Sequence, residues 1–90
     1  MPRIKIDPQQ VRSVASTFKQ KSVESQTMIS QLENQINSMQ PEWEGMSSQK
    51  FYADFQQWRT SMKQFTKLLD DIGLQLEQIA TRLASADGQQ

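Results

Sequence analysis

The stretch FYADFQQWRTSMKQFTKLLDDIGLQLEQIATRL, residues 51–83, decides the fold. Phe51, Phe55, Trp58, Met62, Phe65, Leu69, Ile72, Leu76, Ile79 and Leu83 recur at alternating intervals of four and three, and every one of them is apolar. A sustained period of 3.5 belongs to a helix that lies along another helix, and a strand would need a period of two. No proline interrupts the chain from residue 42 onward, so nothing breaks the pattern. Gly73 is the weak point. A glycine in a helix interior costs about 1 kcal/mol relative to alanine, and it is either a tolerated defect or a place where a neighbouring helix comes close.

A second stripe precedes the first. Val11, Ala15, Phe18, Ser22, Ser25, Ile29, Leu32, Ile36 and Met39 follow the same alternation. Asp7 can cap the free N–H groups at its start. Pro8 suits the first helical position, where a missing N–H costs nothing. Pro41 ends the helix. The reading is one all-α domain over residues 1–90: a helix over 8–40, a turn over 41–46, a helix over 47–86 capped by Ser47 or Ser48, and a short frayed tail. The helices would be roughly 50 and 60 Å long at 1.5 Å per residue. With so short a connection they must fold back as an antiparallel hairpin. Opposed residue numbers then add to about 90 by hairpin geometry, which sets Ser22 and Ser25 against Leu69 and Phe65, small against large.

Charge supports that pairing independently. Residues 1–21 carry five positive charges and one negative, net +4, and residues 22–49 carry four negative, net −4. Residues 50–67 carry four positive and one negative, net +3, and residues 68–90 one positive and four negative, net −3. Folding back antiparallel lays each block beside one of opposite sign. Single exposed pairs are worth under about 1 kcal/mol, and their joint effect is to reject other pairings. A lone hairpin buries little. Val14, Val23, Met28, Tyr52, Leu68 and Leu74 widen the stripes beyond what one neighbour covers, so two hairpins are expected to pair into a four-helix bundle with two-fold symmetry. Val14, Phe18, Met28, Phe55, Trp58, Phe65, Leu68 and Leu69 are the expected core and dimer residues.

The composition excludes most chemistry. The chain has no histidine and no cysteine, so the commonest general base, the commonest metal ligand, disulfides and thiolate catalysis are all missing. Asp70 and Asp71 are adjacent and point to different azimuths, so they form no acid–base dyad. Glu42 and Glu44 read as solvated turn residues. A serine–lysine pair would need a pocket that a thin bundle does not offer. There is no glycine-rich phosphate loop, and neither a cofactor nor a metal is expected. The ten Lys/Arg balance the ten Asp/Glu, which gives no attraction to nucleic acid or anionic lipid. No segment is apolar enough to span a membrane, and no secretory h-region follows the N-terminus. Function must lie in surfaces.

The turn itself contains Trp43-Glu44-Gly45 within MQPEWEGMSS, residues 39–48. On packing grounds Met39, Trp43, Met46 and Phe51 could close the end of the hairpin, with Gly45 supplying a conformation or close approach other residues resist. The W-x-G motif lies midway in a chain of about one hundred residues, between heptad-patterned helices. It is joined by the opening IKIDPQQVR, residues 4–12, and by WEGMSSQKF, residues 43–51. Together these resemble the WXG family of small secreted proteins, the early-secreted-antigen-like (Esx) substrates of type VII secretion.

That resemblance implies a dimerising helical hairpin, a homodimer in many Gram-positive bacteria and a heterodimer of related chains in mycobacteria. It implies export by a membrane-bound ATPase-driven machine without a cleaved signal peptide, and hence an extracellular, often virulence-associated protein acting as effector or carrier, in some cases with a larger toxin. It also implies a composite export signal, in which the W-x-G turn of one subunit lies near a C-terminal Y-x-x-x-D/E element of its partner. Trp43 and Gly45 match the first half. Tyr52 lies in the wrong helical segment and is followed at the required spacing by Gln56, so the C-terminal match is Leu83-x-x-x-Asp87, with leucine in place of tyrosine. The competing expectations are a membrane-disrupting effector, since a dissociated hairpin exposes two apolar stripes, and a non-secreted structural or adaptor coiled coil.

Overall fold

A computed structural model describes residues 6–39 and 46–88, with side chains for 6–39 and 48–85. Two helices account for nearly all of them: α1, Pro8–Met39, and α2, Met46–Gly88, with no strand among the described residues. Helix α1 starts as its sequence requires. The Asp7 carboxylate accepts the Gln9 N–H at 3.0 Å, and the Asp7 carbonyl accepts the Val11 N–H at 3.1 Å. Helix α2 begins at Met46, upstream of both serines that could have capped it, and Ser48 is instead buried within its first turn.

The helices lie antiparallel in a rod of 69 × 23 × 15 Å with a radius of gyration of 20.3 Å. A compact chain of this length would have a radius near 12 Å. Two ion pairs cross between the helices, Lys19 Nζ–Glu77 Oε1 and Arg59 Nε–Glu33 Oε1, both at 2.8 Å. Each joins a pair of the oppositely charged blocks seen in the sequence. The first links the basic N-terminal quarter to the acidic C-terminal one, and the second links the two middle quarters.

The register agrees with the sequence reading, but the rotation of α2 does not. On α1 the inward residues are Ala15, Ser22 and Ile29, flanked by half-buried Val11, Phe18, Ser25, Leu32 and Ile36, as its stripe requires. On α2 the most deeply buried positions are Ser48, Thr66, Gly73 and Ala80, none of them in the expected stripe. Phe55, Met62, Leu69, Leu76 and Leu83 remain half-buried beside them, while Phe65, Ile72 and Ile79 turn outward. Ser22 therefore meets Thr66 rather than Leu69. Its buried hydroxyl donates to the Thr66 carbonyl at 3.1 Å, and the Thr66 hydroxyl donates to the Met62 carbonyl at 2.9 Å.

The cause is close approach. Small residues face small residues, so the two backbones come nearer than large side chains would allow. At Gly73 a Cβ would stand 3.2 Å from the Ala15 carbonyl oxygen and 3.0 Å from Lys19 Cγ. The glycine that weakens α2 as an isolated helix is what admits α1.

Substitution at this point tests the contact. Gly73→Ala should fail to deliver the ~1 kcal/mol that helix propensity alone promises. Gly73→Leu should lower stability by about 1–3 kcal/mol through overpacking. Urea midpoints at one fixed protein concentration measure both. A Gly73→Ala variant stabilised by the full propensity gain would show that the helices are not in tight contact there.

Candidate functional site

With small residues in the seam, the large ones are left outside. The largest fully buried side chain of the described residues is that of Ser22, and the buried apolar residues are only Ala15, Ile29 and Ala80. The accessible surface is 7306 Å², where a compact protein of 10.4 kDa would expose roughly 5400 Å². Of the large apolar side chains that stand exposed among the described residues, most lie on one side of the rod.

That side is built mainly from α2. Phe65, Leu68, Ile72 and Ile79 are exposed along it, Leu68 most of all at 58%. Successive members are separated by three, four and seven residues and so neighbour one another on the helix surface. Helix α1 adds Val14 and Met28, both exposed, and the half-buried Phe18. A cleft between the helices, lined by Ser25, Met28, Phe65 and Leu69, opens onto the same side, with Lys21 and Glu24 at its rim. Toward the turn the face becomes aromatic. The Phe51 and Phe55 rings lie 6.2 Å apart and nearly parallel at 10°, the Phe55 and Trp58 rings 5.4 Å apart at 22°, and Tyr52 meets Phe51 edge-on at 5.5 Å.

The opposite side is polar. A groove there runs over the Ser22–Thr66 contact between Gln26, Ser30 and Glu33 of α1 and Lys63, Lys67 and Asp70 of α2. Both interhelical ion pairs involve residues in register with this side. Val23 and Leu74 do not extend the apolar face as the sequence suggested. Their neighbours three and four residues away are Lys19, Gln20, Gln26 and Thr27 for the first and Asp70, Asp71, Glu77 and Gln78 for the second, all polar.

Of the expected core and dimer residues, the structure thus brings Val14, Phe18, Met28, Phe55, Trp58, Phe65, Leu68 and Leu69 to the apolar side or its margin, partly or largely exposed. The expected signal residues are distributed differently. Trp43, Gly45 and most of the turn lie outside the described residues. Leu83 is half-buried on α2, and Asp87 belongs to the last turn of that helix, with its side chain outside the described set. Thr66 and Ala80 escaped sequence reasoning as packing residues, whereas Gly73 was read there as either a tolerated defect or a point of close approach. Their signal was present as small residues seven apart, 66, 73 and 80, one position beyond the apolar row. Among the described residues no group of three or more potential metal ligands occurs, and no helix is long and apolar enough to cross a membrane.

Comparison with known proteins agrees with this architecture. Protein YukE of Bacillus subtilis is 36% identical over 84 residues, covering 93% of this chain and 87% of its own. The type VII secretion system extracellular protein A of Staphylococcus aureus is 28% identical over 89 residues, covering 99% and 92%. Among solved structures, the secreted protein EsxB of Bacillus anthracis superposes with a TM-score of 0.84 at 34% identity, covering 97% of this chain and 99% of that one. EsxA of Geobacillus thermodenitrificans gives 0.86 at 32%, covering 97% and 95%. The family model for proteins of 100 residues with WXG matches residues 3–88, and with relatives of this identity over nearly their full length, the chain belongs to the WXG100 family.

Proposed function

We propose that this chain is a non-enzymatic substrate of a type VII secretion system, exported as a dimer of two hairpins that bury their apolar sides against each other in a four-helix bundle. The observation that carries the dimer is the thin interior of the described hairpin: among the described residues the largest fully buried side chain is a serine, while Phe65, Leu68, Ile72 and Ile79 stand exposed along one face of α2. A standard interface removes about 800 Å² from each partner, well within the excess surface. Export is supported by the relatives, one of which is an extracellular protein of such a system and another a secreted protein.

In this reading Trp43 and Gly45, in the segment that joins α1 to α2, form an address, and Leu83 and Asp87 its counterpart on the last turns of α2. The ATPase of the secretion machine reads that address. The dimer then acts outside the cell as an effector, or as a carrier for a larger exported partner. The apolar face holds the dimer together and has no catalytic part.

Three outcomes follow. Because burial of the apolar face is intermolecular, the melting temperature should rise with protein concentration. Phe65→Ser should weaken self-association at least about tenfold in sedimentation equilibrium, as expected for removing a buried aromatic side chain. Val23→Ser, a change at a still more exposed position off the apolar face, should leave it within about twofold. A monomer that melts at one temperature at all concentrations would refute the dimer. Trp43→Ala should keep helicity and dimerisation yet disappear from the culture supernatant of a strain with a working type VII ATPase. Normal export of that variant would rule out the assigned address.

A further inference from the structure

We propose that the polar side of the rod is a docking groove for an acidic helix of another protein, whose carboxylates, one helical turn apart, pair with Lys63 and Lys67. This is the side that the apolar face leaves uncovered, so the groove does not depend on the dimer.

The first observation is unmatched charge. Arg59, Lys63 and Lys67 follow one another at intervals of four and so line one edge of α2. Glu33 holds Arg59 across the seam at 2.8 Å. Lys19, Lys21 and Lys50 each pair with a carboxylate as well. Among the described residues Lys63 and Lys67 pair with none, although both are exposed and Asp70 stands three residues beyond Lys67. Like charges one turn apart weaken a helix, and no described residue offsets them. Two carboxylates from outside the chain would.

The second observation is shape. Lys63 and Lys67 form one wall of a groove, and Gln26 and Ser30 form the other. Its floor is Ser22, Ile29 and Thr66, all buried. The Ser22 hydroxyl is donated to the Thr66 carbonyl and the Thr66 hydroxyl to the Met62 carbonyl. The floor therefore has no hydroxyl hydrogen left to give. An extended chain laid on it would leave carbonyls unsatisfied, whereas a helix bonds its own. A ridge of a third helix packs readily between two others. Carboxylates four residues apart on that helix are separated by about 6 Å along its axis, the same rise that separates Lys63 from Lys67.

The third observation excludes a continuous polyanion. Carboxylates close both ends of the groove, Glu33 beside Arg59 and Asp70 beyond Lys67. These ends are roughly 16 Å apart along α2. A nucleic-acid strand, with a charge about every 3.4 Å, would press phosphates against both. A helix with two carboxylates and neutral or basic neighbours meets no such repulsion.

The probe is a fluorescent, end-capped, alanine-based helical peptide with two glutamates four residues apart, titrated with the full-length chain and followed by anisotropy. It should bind, and added salt should weaken the binding. Lys63→Glu and Lys67→Glu should each raise the dissociation constant at least about threefold, because each turns an exposed attraction into a repulsion. Arg82→Glu makes the same change in net charge away from the groove and should stay within about twofold. A peptide with lysines in place of the glutamates should prefer the double variant to the wild type. Circular dichroism checks that every variant stays helical. No binding to the wild type, or equal binding to the wild type and the double variant, would overturn the proposal. Displacement of the peptide by a single-stranded oligonucleotide would overturn it in favour of nucleic acid, and loss of self-association in the double variant would overturn it in favour of a second copy. A wild-type monomer that binds the peptide would refute the dimer and leave the groove standing.

Discussion

Everything in this hairpin depends on the close approach of α1 and α2 at Ala15, Ser22, Thr66 and Gly73. A Cβ on residue 73 would fall 3.2 Å from the Ala15 carbonyl, and the Ser22 hydroxyl reaches the Thr66 carbonyl at 3.1 Å. Such contacts require the helix surfaces to be nearly bare where they meet. Once small residues occupy the seam, the large ones have to be displaced around the circumference. On α2 most of them, Leu74 excepted, are displaced to one side, because the row of Phe65, Ile72 and Ile79 precedes the row of Thr66, Gly73 and Ala80 by a single residue. One helix therefore carries an inner row for its own chain, a shared row at the boundary and an outer row for another molecule. Burial of the outer row against another surface would stabilise the folded protein by about 25 cal/mol per Å² of apolar surface removed from water.

The polar contacts in and beside the seam add specificity to a contact that has little bulk. The Ser22 hydroxyl is satisfied by a backbone carbonyl, so it can be buried without a destabilising orphan, and a slide of one helix along the other would leave it unpaired. The ion pairs Lys19–Glu77 and Glu33–Arg59 are partly exposed and individually worth at most about 1 kcal/mol. They lie on the side away from the apolar face and are separated along the seam, and so oppose both slippage and splaying.

How much of this was legible in the sequence follows from what periodicity encodes. The alternation of four and three identified both helices, and the charge blocks identified the antiparallel fold and its register, since the pairing of oppositely charged quarters is a one-dimensional property. The azimuth of α2 was not legible. Hydrophobic period says which residues share a stripe. It does not say whether that stripe faces the same chain or another, and the assumption that large residues face inward placed Leu69 where Thr66 stands. The clue lay in the smallest residues. Gly73 is costly in a helix unless something approaches it, and Thr66 and Ala80 repeat its position one heptad on either side. The face itself was half-legible. Val14, Met28 and Leu68 do widen it, whereas Val23 and Leu74 stand alone among polar neighbours, which stripe counting did not separate. Trp43 and Gly45 rest on motif and family rather than on periodicity.

Could the hairpin have buried its large residues by turning α2 the other way? The dimensions argue that it could not. The rod is 15 Å thick, close to the 10–12 Å diameter of one helix with its side chains. In a single layer each helix has one neighbour, and a contact between two helices covers only a narrow strip of each. Turning Phe65, Ile72 and Ile79 inward would widen the spacing, opening gaps around Ala15 and Ser22 that no other residue of α1 is placed to fill. It would also move Thr66, Gly73 and Ala80 onto the surface, where a glycine in the helix costs stability and no close contact offsets it. The observed rotation keeps the intrachain contact small but well packed and leaves most of the large side chains in one face. Burying that face needs a second layer, and a chain with only two helices can obtain one only from another molecule.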